Sequence, residues 1–259
     1  MNAASQSVRW FVHAGTILEI EARKLTKDPW EMVIRAIQPL LWLTIFGSAF
    51  AKVRLLPGSD DYTSFLAPGI LAQSVTFAAI FFGITLIWEK DLGLTQKYLA
   101  SPLARSALVV GKLSAAGMRG IIQGVVVLAA AGLLGARLDL GVGAILGTLA
   151  LAVLGAAFFA GMSMGIAALL RTRDRMMGMG QLITLPLFFA SNALYPIDLM
   201  PDWLKVVALG NPMSYLVDGF RGFLTPAHAS HLGLDVIVLI SATVVMTTIA
   251  TWLYPRLAR

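Results

Sequence analysis

The sequence predicts an all-α integral membrane protein with about six transmembrane helices, an N-terminal amphipathic interfacial helix and an extracytoplasmic re-entrant helical hairpin before the last span. Three observations carry that prediction. Hydrophobic residues make up 58% of the 259 and charged residues only 13%, about half the roughly 25% charge of soluble domains. Several runs of about 20 residues or more hold at most one or two charges, as a helix crossing hydrocarbon requires. Finally, "LYPIDLMPDWLKVVALGNPMSYLVDGFRGFL", Leu194 to Leu224, lies between two of the most apolar runs yet is interrupted by Pro196, Pro201 and Pro212.

In chain order, residues 1–31 form the amphipathic segment. Within it, 8–27 places Phe11, Ala14, Leu18 and Leu25 near one face and Arg9, His13 and Arg23 mostly elsewhere, the pattern of a helix lying at a membrane surface. Its charges also exclude the clean apolar core of a cleaved secretory signal. Asp28-Pro29-Trp30 ends it, with Trp30 suited to the headgroup level. Spans are expected at 32–51, 65–88, 113–135, 142–170, 177–197 and 233–254. Gly147, Gly155, Gly161 and Gly165 share the fourth, where small residues let helices approach closely. The connections are 52–64, 89–112, 137–141, 171–176 and the 198–230 hairpin; none is long enough to fold alone, so 1–259 is a single transmembrane domain. The chain has no cysteine, which excludes disulfides and thiolate chemistry.

Basic residues set the orientation. Thirteen fall on one side: Arg9, Arg23, Lys24 and Lys27, then Lys90, Lys97, Arg105 and Lys112, then Arg171, Arg173 and Arg175, and finally Arg256 and Arg259. Five fall on the other, Lys52, Arg54, Arg137, Lys205 and Arg221. The richer side is cytoplasmic, so both termini are expected inside and the hairpin outside. The net charge of +6 is thereby a topology signal, and nucleic acid is not an expected partner.

Within the hairpin, Pro201 is placed to start a short helix and Asp202 suits its positive end. Gly210-Asn211-Pro212 stops that helix and starts another, with Asn211 as N-cap. Met213, Leu216, Val217, Phe220 and Phe223 then form an apolar stripe, and Asp218 and Arg221, one turn apart, are spaced to pair. Each helix of about ten residues reaches roughly 15 Å, half the hydrocarbon thickness. Two readings remain: a re-entrant gate built on Pro201, Trp203, Asn211, Pro212, Asp218 and Arg221, or a hairpin lying on the outer surface.

Polar residues inside the spans are sparse. Gln181, Thr184, Phe188, Ser191 and Tyr195 recur at helical spacing in the fifth span, with Asn192 alongside; the second offers Gln73, Phe77 and Phe81, and the first Gln38 and Trp42. Such a stripe either lines a route for an amphipathic substrate or hydrogen-bonds helices together. Arg35 and Arg119 lie near the cytoplasmic ends of their spans and are expected to snorkel to the interface. His13, His228 and His231 show no ligand spacing, so no metal site is expected. The spans show no buried Asp or Glu, which disfavours an ion-coupled carrier. An integral-membrane enzyme would need convergent Asp, Glu, His or Ser near one face, and no such cluster is visible. No phosphate loop is present either, since Gly111-Lys112 lacks the upstream Gly and following Ser or Thr. Energy must then come from another chain.

The connection "EKDLGLTQKYLASPLARSALVVGK", Glu89 to Lys112, is longer than antiparallel helices need and carries Tyr98, Leu99 and Leu103 among its charges. It holds a candidate short helix, Leu94 to Ala100, and a turn at Ser101-Pro102. It is either an interfacial helix or a docking element for a cytoplasmic partner. Its Glu89, Asp91, Gly93, Ser101, Pro102, Arg105 and Lys112 resemble the coupling loop of the type-two ABC exporter permeases, with Leu94 standing where Thr is more usual. The Leu194–Leu224 segment resembles the same family's signature region before the last span, and the nearest branch looks like the daunorubicin-resistance and nodulation-factor permeases.

The resemblance implies the membrane-spanning subunit of an ATP-driven exporter of an amphipathic substrate, with no cofactor on this chain. It implies two ATP-binding cassette subunits carrying ATP and Mg, a second permease chain (a homodimer), contact with membrane lipids, and residence in a bacterial cytoplasmic membrane. It also assigns coupling to Glu89, Asp91, Gly93, Tyr98, Leu99, Pro102 and Arg105. The alternative is a secondary carrier or channel not powered by ATP.

Overall fold

Helix α3, Tyr62–Asp91, is apolar around its whole circumference, and a soluble-style exposed face is therefore closed to it. The structure, a computed structural model, describes residues 3–27, 29–50, 62–170, 172–225 and 231–258. Asp28, the 51–61 stretch, Arg171 and the 226–230 end of the hairpin lie outside them. The described elements are all helical: α1 Ala3–Lys27, α2 Pro29–Phe50, α3, α4 Leu94–Ala100, α5 Arg105–Leu133, α6 Val142–Leu170, α7 Arg173–Phe189, α8 Asp202–Gly210, α9 Pro212–Leu224 and α10 Leu232–Leu253, with short 3-10 turns at Ile197–Leu199 and Tyr254–Ala258.

Among the described residues, four stretches are long and apolar enough to cross a membrane: Tyr62–Asp91, Arg105–Leu133, Val142–Leu170 and Leu232–Leu257. The shorter apolar run Ile37–Ala49 lies in α2. α3 is the axis of the bundle, with α2, α5, α6, α7 and α9 packed around it. Its 30 residues span about 45 Å, so its two ends mark the two ends of the molecule. Tyr62, at one end, donates its hydroxyl to Leu194 O at 3.0 Å. Asp91, at the other, leads into α4.

Glycines make the tight crossings. A Cβ on Gly120 of α5 would stand 2.9 Å from the Ala152 carbonyl of α6, and one on Gly111 would stand 2.7 Å from the Ala14 carbonyl of α1. Gly147 and Gly155 of α6 receive Phe223 and Leu216 of α9, so the glycines of the fourth span are packing positions.

Three expectations change. The loop expected at 89–112 is shorter, because α3 runs on through Glu89 to Asp91 and α5 already starts at Arg105. The helix expected to reach 197 stops at Phe189. Two of its orphan C-terminal carbonyls, Leu187 O and Ala190 O, are taken by Asn211 Nδ2 at 2.7 and 3.0 Å, which closes it there. Lastly, α1 buries Ile17, Glu21 and Leu25 against the bundle, while Phe11, expected on the apolar face, is exposed beside Val8 and Val12.

Candidate functional site

The junction from α3 through α4 to α5 is built by local chemistry. Gly93 sits at φ 72°, a left-handed conformation that only glycine adopts freely, and this turns the chain from α3 into α4. At the far end Ser101 is extended, as a residue before proline must be, and its hydroxyl donates to Tyr98 O at 2.7 Å. Of the residues expected to couple, Pro102 and Arg105 are exposed, and Gly93, Tyr98 and Leu99 are half-buried. Asp91 pairs with Arg173 of α7 at 2.7 Å, and the Arg173 guanidinium lies 5.0 Å from the Trp88 ring centre.

Glu89 is different. It is only 3% exposed and belongs to a buried ionic cluster drawn from α1, α3 and α5, so it presents no surface to a partner. Lys112 Nζ lies 2.6 Å from Glu89 Oε2 and 3.3 Å from Glu21 Oε1. Lys24 Nζ bridges the same two carboxylates, at 2.8 Å from Glu21 Oε1 and 2.6 Å from Glu89 Oε1. Arg119, expected to snorkel, instead reaches Glu21 Oε2 at 3.5 Å and lies 5.1 Å from the Phe82 ring centre. Burial acts to raise the Glu21 carboxyl, but Lys112, Lys24 and Arg119 outweigh it and hold the group down at about 2. Lys24 is raised: burial opposes its charge, and Glu89 and Glu21 overcome that. α4 bears directly on the cluster, with the Tyr98 ring centre 5.4 Å from Lys112 Nζ.

Sequence reasoning missed this cluster. The available signal was a carboxylate on a buried stripe: Ile17, Glu21 and Leu25 recur every four residues. The expectation that no span buries an acid also fails, since Glu89 lies in α3 and Asp235, 5% exposed, in α10.

At the opposite end, α8 and α9 meet at the expected break. The Met213 N–H donates to the Asn211 side chain at 2.9 Å, the expected N-cap. Arg221 Nη1 stands 3.5 Å from Asp218 Oδ1, the expected pair. Arg221 Nη2 also donates to Asn192 O at 2.6 Å, and Asn192 Nδ2 to Asp218 Oδ1 at 2.6 Å. Pro201 and Trp203 are exposed, and Pro212 opens α9 as its first residue.

The stripe residues divide into three groups. Gln38, Gln73 and Phe77 meet at one cavity between α2 and α3, with Phe81 4.7 Å from Phe77 between ring centres. Trp42 and Phe188 meet edge to face at 6.1 Å. Gln181 is exposed, while Asn192 and Tyr195 lie beyond the end of α7; Tyr195 donates to Phe189 O at 2.5 Å, so the stripe does not continue along one helix.

A family profile described as ABC-2 type transporter matches residues 13–225. A chain named as a transport permease, ycf38, of Cyanophora paradoxa is 29% identical over 203 residues, 76% of this chain and 69% of that one. The daunorubicin resistance ABC transporter permease protein DrrB1 of Streptomyces coeruleorubidus is 23% identical, covering 74% and 68%. Nodulation protein J of Rhizobium leguminosarum bv. trifolii is 27% identical, covering 86% and 83%.

Proposed function

The chain belongs to the ABC-2 type transporter family, and from that premise we propose that it moves an amphipathic substrate (a drug, a lipid, or a lipo-oligosaccharide or glycan) out of the cytoplasm. Two copies pair as a homodimer and dock two ATP-binding cassette subunits, which carry ATP and Mg and perform the hydrolysis. The dimer sits in a bacterial cytoplasmic membrane with both termini inside. The names of two relatives, one for daunorubicin resistance and one for nodulation, favour export of such substrates.

The observation that carries the reading is the seat of α4 on the buried ionic cluster. Leu92, Gln96, Lys97, Ala100 and Pro102 are exposed on or beside α4, and they supply the docking face. Tyr98 faces inward to Lys112, whose ion pairs tie α5 to α1 and α3. A push on α4 therefore reaches three helices together, and the Asp91–Arg173 pair carries it to α7. Gln38, Trp42, Gln73, Phe77, Phe81 and Phe188 supply the route, and the α8–α9 hairpin shapes its outer exit.

The test is to express the chain with a neighbouring ATP-binding subunit and measure co-purification and ATP turnover in lipid. Leu92→Asp together with Lys97→Glu is expected to abolish both. Intact complex and turnover in that variant would overturn the docking face. Cysteines at Asp202 and Lys205 are expected to react with an impermeant reagent from outside; reaction only from the cytoplasm would overturn the topology.

A further inference from the structure

The cavity between α2 and α3 has a volume of about 10 Å³, room for a single water-sized group, and is lined by Gln38, Pro39, Gln73, Ser74, Phe77 and Ala78. Gln73 is 5% exposed and its Oε1 accepts no hydrogen bond. A buried acceptor left without a donor costs about 1–3 kcal/mol, and the neighbours do not repair it. Ser74 donates its hydroxyl to Gln123 Oε1 at 2.9 Å, and Pro39 has no N–H. Interhelical hydrogen bonding therefore does not account for the Gln73 oxygen.

Gln38 lines this cavity and also an apolar groove of about 400 Å³ along α2, with Ile37, Leu41, Trp42, Ile45 and Phe46. Trp42 and Phe46 stack at 4.8 Å between ring centres, which makes one wall flat and apolar. The groove has the size and character of a small-molecule site. A single amide thus joins an apolar trough to an unanswered acceptor. The acceptor selects the head group. A carboxylate or phosphate offers only acceptors to Gln73 Oε1, and stripping water from an ammonium in this cavity costs far more than from a hydroxyl.

We infer that Gln73 and Gln38 form the head-group end of a binding site for an uncharged, hydroxyl-bearing amphiphile, whose hydroxyl donates to Gln73 Oε1 while its apolar tail lies in the groove against Trp42. The site's part in export rests on the exporter reading above; binding itself needs no ATP.

The full chain in phosphatidylcholine nanodiscs is titrated with dodecyl-β-maltoside brominated on its tail. Quenching of Trp42, one of six tryptophans, is isolated by subtracting the Trp42→Phe variant. Quenching is expected to saturate, with Gln73→Leu weakening affinity about tenfold, the size of one hydrogen bond. Gln38→Leu is expected to weaken it several-fold, and because Gln38 is exposed that variant tests the site even if Gln73→Leu fails to fold. Brominated phosphatidylcholine, whose head group has no donor, should be indifferent to both changes. Maltoside affinity unmoved by both variants overturns the inference. So does unsaturable quenching equal for the two probes, which marks plain lipid contact, or no Trp42-dependent quenching, which marks a face covered by a second copy. Saturable quenching with no ATP-driven transport alongside an ATP-binding subunit upholds the site and removes the exporter reading.

Discussion

The two ends of α3 both bury charge, and they do it in different ways. At the α4 end, Glu21, Lys24, Glu89, Lys112 and Arg119 come from three separate helices and are held almost entirely to one another. At the α8–α9 end, Arg221 pairs with Asp218 on its own helix, lies 4.0 Å from the Phe65 ring centre of α3 and binds a main-chain carbonyl, as Asn211 does twice. Ion pairs between helices report any rigid-body shift, because each pair breaks or forms as the helices slide. Side chains anchored on carbonyls fasten a turn in one shape. On the exporter reading proposed above, the first end would transmit and the second would anchor.

The largest expected effect tests the transmission end. Glu89→Leu or Lys112→Met alone leaves buried charge uncompensated, at about 3–5 kcal/mol of stability. The double variant is expected to recover much of that in thermal unfolding while ATP turnover stays uncoupled from transport. A double variant that transports normally would break the comparison, since the cluster would then be packing alone.

Next, Arg221→Met strands the Asn192 carbonyl and Asp218, at about 2–3 kcal/mol. Stability should fall while the ratio of transport to ATP hydrolysed is unchanged. A changed ratio would make the outer end a transmitter too.

Asn211→Ala removes a cap and two carbonyl bonds, for about 1–2 kcal/mol. Amide exchange around 187–193 is expected to quicken about tenfold, with the cluster end unaffected.

The smallest effect at working pH comes from Glu21. Its carboxyl is held at about 2, against 4.5 for the free group. Its contribution is therefore full above pH 4.5 and is lost as pH falls toward 2. Unfolding temperature should be flat in this respect from pH 8 to 5 and decline below, and Glu21→Gln should remove that decline. A Glu21-dependent change near neutral pH would show that the cluster is not closed.

Much was written locally. Composition set the class, and apolar runs placed the long helices, because a backbone in hydrocarbon must satisfy its own hydrogen bonds. Ser101-Pro102, Pro201 and Gly210-Asn211-Pro212 lie at the ends of α4, α8 and α9 where the sequence placed them, since caps and breaks depend only on neighbours in the chain. Tertiary structure alone decided the rest. Glu21 and Lys112 are 91 positions apart, and no periodicity shows that Gly111 lets α1 close enough for them to meet. The end of α7 at Phe189 was likewise hidden, because the group that closes it, Asn211, arrives from another element. Sequence spacing orders residues along a face; which buried charge finds which partner is decided by the distance between helices once they pack.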